Sequence, residues 1–183
     1  MIIYIHGFAS SGEGSKAKFL REIFEDEGFI APSLSYVPEL AIKTLKELIE
    51  SYSKYETVHL IGSSLGGYYA IYLADLYDLK AVLINPSVSP TRTLKKVIGE
   101  QENYYDASSF EWNLKHLRSL EQLEVKNIKS KLYLLLAQKG DETLNYRDAS
   151  QKLYACEQRI EDGGSHSFEG IGRYIQDIEE FFE

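Results

Sequence analysis

The sequence has almost no cysteine. The lone Cys156 cannot form an internal disulfide, and no Cys/His cluster has the spacing of zinc ligands. A small secreted fold would ordinarily use several bridges, so the expected setting is a reducing cytoplasm. Apolar runs are short, none near the 18 or so residues that a bilayer span needs, and no membrane association is expected. The first residues, Met1-Ile2-Ile3-Tyr4-Ile5, turn at His6-Gly7 and lack the charged start of a signal peptide, so they read as a core strand. Basic residues are in deficit: 20 Lys and Arg against 28 Asp and Glu give a net charge of −8. Such a chain is repelled by phosphate backbones, and no local basic patch argues otherwise, so no nucleic-acid partner is expected. No Pro/Ser-rich linker and no internal repeat divides the chain.

What is present describes one domain, 1–183. Hydrophobic residues make up 44% and charged residues 26% of the chain, the balance of an ordinary globule. A chain of 183 residues buries about 70% of its unfolded surface without a metal or disulfide staple. Apolar, β-rich runs at 2–5, 29–34, 58–61, 81–85, 132–137 and 155–160 alternate with helical periodicity. That alternation predicts a parallel sheet covered by helices. Phe19, Leu20, Ile23 and Phe24 share one helix face. Leu45, Leu48, Ile49 and Tyr52 share another, on a helix opening at Pro38, and Phe168, Ile171, Ile175, Ile178 and Phe182 stripe a terminal helix. The stretch 86–131 interrupts the alternation. It is too long for one crossover and carries Tyr104, Tyr105, Phe110 and Trp112, which predicts a small, mostly helical cap over the strand ends. Tyr105 and Trp112 are the candidates there for substrate contact; the alternative is that the rings only pack the insertion against the sheet.

The chemistry centres on Gly62-Ser63-Ser64-Leu65-Gly66, a G-x-S-x-G pattern with an apolar strand running in and a helical run, 65–76, running out. A nucleophile elbow has that context: a sharp strand-to-helix turn that leaves no room for side chains at the flanking glycines and sets the serine at a helix N-terminus, where negative charge is favoured. A serine hydroxyl needs a base, and the base an orienting carboxylate. Of four histidines, His6 and His59 precede Ser64 and His116 lies in the cap. His166, in the loop Asp162-Gly163-Gly164-Ser165-His166-Ser167 after the last strand, is best placed. Asp141 follows the strand 132–137, at the end of the sheet where site residues gather, with Glu142 and Asp162 as rivals. Oxyanion donors are expected from the backbone N–H groups of Leu65 and of Phe8 in the loop after the first strand. For a strand order 2-1-3-4-5-6 that loop and the elbow flank the point where winding reverses. The His6 imidazole is expected to bond its own loop.

Tyr4-Ile5-His6-Gly7-Phe8 with Ser10-Ser11 and Ser15-Lys16-Ala17, the elbow continuing to Gly67-Tyr68-Tyr69-Ala70, Asn85-Pro86 with Pro90, Glu102-Asn103 with Tyr105, Gly140-Asp141-Glu142 with Asn145-Tyr146-Arg147, and Gly163-Gly164 with His166 and Phe168 together resemble the YqiA-type small esterases (the YqiA/YcfP-like group) of the α/β-hydrolase superfamily. The likeness covers nearly the whole chain. Two positions depart from the family pattern: Ser165, where an acidic or amide residue often precedes the histidine, and Tyr104, which replaces a proline in the cap motif. The resemblance implies a minimal α/β-hydrolase fold, three layers around a mostly parallel six-stranded sheet with a small helical cap, and no opening antiparallel hairpin. It also implies a metal- and cofactor-independent serine hydrolase using Ser64, Asp141 and His166 on acyl esters. An acyl-CoA thioesterase is the alternative on the same triad, and a non-catalytic binding module on a hydrolase scaffold is the alternative of another class.

Overall fold

A computed structural model describes all 183 residues. In chain order the elements are β1 (Ile2–Ile5), α1 (Ser15–Ile23), β2 (Phe29–Ile30), α2 (Pro38–Tyr52), β3 (His59–Ser63), α3 (Leu65–Tyr77), β4 (Ala81–Ile84), α4 (Pro90–Leu94), β5 (Gly99–Glu102), β6 (Ser109–Trp112), α5 (Leu114–Glu121), β7 (Tyr133–Gln138), α6 (Tyr146–Lys152), β8 (Glu157–Glu161) and α7 (Ile175–Phe182). Six strands form one sheet in the order β2-β1-β3-β4-β7-β8, every adjacent pair parallel. With the two strands of the insertion set aside, this is the expected 2-1-3-4-5-6.

Side chains alternate across a strand, so each central strand feeds two cores. Ile2 and Tyr4 of β1, Ile61 of β3, Val82 and Ile84 of β4, and Leu134 and Leu136 of β7 pack with Ala17, Leu20 and Phe24 and with Ile171 and Ile178. Ile3 and Ile5, Leu60, Leu83 and Leu135 face the opposite way, onto α2 and α3. Burial on both faces is why these strands read as unbroken apolar runs. The result is a three-layer α/β/α fold. No helix is long and apolar enough to cross a membrane.

Four expectations change in detail, the first being that the terminal helix α7 begins at Ile175, so that Ile171 lies in a 3-10 turn and Phe168, at φ 61°, in the loop before it. β2 stops at Ile30 instead of reaching 34, because Pro32 has no N–H to offer a ladder; the Leu34 N–H turns instead to the His6 imidazole. On α1 the buried residues are Ala17 and Leu20, with Phe24 just beyond the helix, while Phe19 and Ile23 are exposed. The insertion 86–131 is not mostly helical: β5 and β6 make an antiparallel hairpin pairing Gly99 with Trp112 and Glu102 with Ser109. In β6 the order Ser109-Phe110-Glu111-Trp112 alternates exposed and buried, a period-2 signal that the aromatic content of the segment obscured. Asn113 then caps α5, its side chain accepting from the backbone of Lys115 and His116.

Candidate active site

β3 runs into Ser64, and Ser64 turns the chain into α3 with φ 55° and ψ −120°, a conformation unusual for a residue with a side chain. Neighbouring backbone holds it there. The Ser64 N–H donates to Ile84 O at 3.1 Å, and Ser64 O accepts from Gly67 N at 3.0 Å and Ser87 N at 2.9 Å. The turn is packed so closely that a Cβ at Gly62 would lie 2.4 Å from Gly66 O, and one at Gly66 only 2.0 Å from Ile5 O.

The structure brings Ser64, His166 and Asp141 together from three separate strand ends. The Ser64 hydroxyl donates to His166 Nε2 at 3.0 Å, and His166 Nδ1–H donates to Asp141 Oδ2 at 2.8 Å. The Asp141 side chain is only 2% exposed and that of His166 25%. Asp141 Oδ1 also accepts from the backbone N–H groups of Thr143 at 2.8 Å and Leu144 at 2.7 Å. Burial alone would raise the Asp141 pKa. The hydrogen bond from His166 and the two amides outweigh it and hold the carboxyl below the usual carboxylate range. Of the two rival acids, Glu142 accepts the backbone N–H of His166 at 2.9 Å and does not touch its ring. Asp162 is exposed and pairs with Lys139.

Phe8 and Leu65 line the same cleft as Ser64 and His166. Leu65 is the first residue of α3, where N–H groups have no partner within the helix, and the Phe8 N–H has no acceptor in the chain. The Phe8 loop sits hard against the nucleophile, for a Cβ at Gly7 would lie 3.1 Å from Ser64 Cβ. The Phe8 ring meets Trp112 edge-on at 5.0 Å and Phe110 at 5.6 Å. The hairpin turn is stitched to the same loop by Tyr104 N–H donating to Ala9 O at 2.8 Å and Asn103 Nδ2 to Ser10 O at 3.1 Å.

Tyr105 and Trp112 do not line this cleft. Trp112 is fully buried, its indole N–H donating to Leu94 O, because the β6 alternation turns it inward beneath the hairpin. Tyr105 borders a neighbouring cavity that shares the Phe8 loop, and the insertion aromatic that lines the Ser64 cleft is Tyr104. Residues that sequence reasoning passed over hold the His166 loop in place. Asn85 Nδ2 donates to Ser165 O at 2.9 Å, and Asn85 Oδ1 accepts from Gln138 N at 2.9 Å. The buried Gln138 Oε1 accepts the N–H groups of Ser165 at 3.0 Å and Glu169 at 2.9 Å. The available signal was a single polar residue ending each of two apolar strands.

His6 bonds its own loop as expected: Nδ1–H donates to Gly7 O at 2.8 Å and Nε2 accepts from Leu34 N at 2.9 Å. That pairing needs the neutral ring. Burial lowers the pKa of His6 and of His116, and burial together with the N-terminus and Lys80 takes His59 down to about 4. The unfolded chain titrates these rings near 6.5, so their stabilising contribution is complete above that pH and is withdrawn as the pH falls toward the folded values. Urea midpoints are expected to drop between pH 7 and pH 5. His59→Phe, which retains a ring to stack on Phe182, is expected to flatten that slope; equal slopes in the two proteins would refute this account.

No group of three or more His, Cys, Asp and Glu side chains is disposed to hold a metal ion. The family model described as "Uncharacterised protein family (UPF0227)" matches residues 1–183. UPF0227 protein YcfP of Escherichia coli O9:H4 (strain HS) is 27% identical over 188 residues, spanning 99% of this chain and 98% of that protein. Among solved structures, alpha/beta hydrolase domain-containing protein 10 from mouse matches with a TM-score of 0.75 at 18% identity, covering 98% of this chain and 88% of that one. The monoacylglycerol lipase of Paleococcus ferrophilus matches with a TM-score of 0.72 at 16% identity, covering 99% and 93%. The fold is that of the α/β hydrolases.

Proposed function

The chain belongs to the UPF0227 family, and from that premise we propose that it is a serine esterase that hydrolyses carboxylic acyl esters through an acyl-enzyme on Ser64. The observation that carries this reading is the continuous hydrogen-bonded line from the Ser64 hydroxyl through His166 to the buried Asp141. The fold it shares with a monoacylglycerol lipase supports ester hydrolysis as the class of reaction.

His166 Nε2 takes the hydroxyl proton as Ser64 Oγ attacks the acyl carbonyl. The Phe8 and Leu65 N–H groups receive the developing oxyanion, and charge placed there gains from the start of α3. His166 then gives the proton to the departing alcohol. A water, deprotonated by the same nitrogen, attacks the acyl-enzyme and releases the acid, restoring the Ser64 hydroxyl. Asp141 keeps the Nδ1–H tautomer and stabilises the imidazolium.

A fluorophosphonate probe tests the reading directly. Intact-mass and peptide analysis are expected to place one adduct on Ser64, competed by p-nitrophenyl butyrate. Folded protein that stays unlabelled would favour a binding module on this scaffold and overturn the proposal.

A further inference from the structure

The cleft at Ser64 encloses about 660 Å³ and contains a charge that acyl transfer does not use. Lys16, on the first turn of α1, reaches into it. Its Nζ donates to Ser63 Oγ at 2.8 Å, one residue from the nucleophile, and it makes no ion pair with any carboxylate. Lys96 borders the same space, also without an ion pair, and the one carboxylate lining the cleft, Glu142, is engaged by the His166 N–H. An enclosed cation with no carboxylate in direct contact is costly to keep. Burial pushes the Lys16 pKa down to about 8, even though the charge of Asp141 acts to raise it. Gly14 and Ser15 line the cleft too, at a helix start whose N-cap residue supplies no side-chain acceptor. A chain with net charge −8 thus sets two lysines that make no ion pair in the lining of one cleft.

We propose that Lys16 is a specificity-determining residue whose ammonium group binds an anionic group of the substrate, so that the preferred esters carry a carboxylate near the scissile carbonyl. This rests on the serine-esterase reading and deepens it. On binding, the carboxylate supplies an ion-pair partner in direct contact and accepts an Nζ–H left free by Ser63. A charge-assisted bond of this kind is worth about 1.5–3 kcal/mol, roughly ten- to hundredfold in affinity.

The test compares monoethyl glutarate with ethyl valerate, a neutral ester of equal acyl length, by pH-stat at pH 7. A third ester, the butyryl ester of glycolate, carries the anion on the alcohol side. The wild-type protein is expected to prefer at least one anionic ester over ethyl valerate by tenfold or more in kcat/KM, and the better of the two identifies which side of the ester meets Lys16. In Lys16→Met that ratio is expected to fall to one or below, chiefly through KM, with partial recovery in Lys16→Arg. Equal losses on charged and neutral esters would assign Lys16 to positioning Ser63 and overturn the proposal, as would a wild-type enzyme that prefers ethyl valerate. Calorimetry with glutarate on the Ser64→Ala protein separates the two readings. Binding that vanishes in Ser64→Ala/Lys16→Met supports the anion site even where no ester is turned over, and absence of binding to Ser64→Ala counts against the site while leaving the esterase reading to the fluorophosphonate result.

Discussion

Ser64→Ala is expected to lower kcat/KM for p-nitrophenyl butyrate by about 10⁴-fold or more while leaving the folded protein intact. The substitution deletes one oxygen and its 3.0 Å bond to His166. Every backbone bond that holds the elbow, to Ile84, Gly67 and Ser87, uses main-chain atoms that alanine retains. Alanine also retains a Cβ at φ 55°, so the strain of the turn persists. Ser64→Gly is the informative companion. It should be as inactive and yet more stable by about 1 kcal/mol, because glycine adopts positive φ without penalty. Near wild-type turnover in either variant would remove Ser64 from the mechanism.

Asp141→Asn is expected to cost a similar order, about 10⁴-fold in kcat, by a different route. One Asp141 oxygen is committed to the Thr143 and Leu144 N–H groups and the other to His166 Nδ1. An amide can match the two backbone donors only with its carbonyl oxygen, which turns its NH₂ toward His166. The ring must then accept at Nδ1 and carry its proton on Nε2, where it cannot take one from Ser64. The loss should therefore appear in kcat, with the urea midpoint moved by little. Glu142→Gln, at the rival carboxylate, should leave most of kcat in place, and a reversal of those two effects would give Glu142 the orienting role.

The elbow was legible in the sequence because its demands are local: the Cβ positions at Gly62 and Gly66 are filled by backbone from the same turn or from the adjoining β1. The two-core sheet was legible for a related reason, since strands buried on both faces leave few alternatives to an apolar run. Asn85 and Gln138 were not legible as holders of the His166 loop, because their partners lie far along the chain, 80 residues away for Asn85 and Ser165. Trp112 shows the limit of composition. An aromatic in an insertion looks like a ligand contact until the register of β6 decides which way it faces. The end of β2 is hidden in the sequence because the apolar character of 29–34 continues past Pro32, which ends its ladder.

The edge-on seat of Phe8 between Phe110 and Trp112 bears on protein engineering. An engineer who wished to alter the cleft could exchange the hairpin above the sheet as a module. Here the hairpin also grips the loop that carries a proposed oxyanion donor, through the Phe8 ring and the bonds to Ala9 and Ser10. A chimera that replaces residues 99–112 must therefore rebuild an aromatic socket for Phe8 and two backbone anchors before any new substrate pocket can be useful. A graft chosen only for its pocket would lose transition-state stabilisation on every substrate alike.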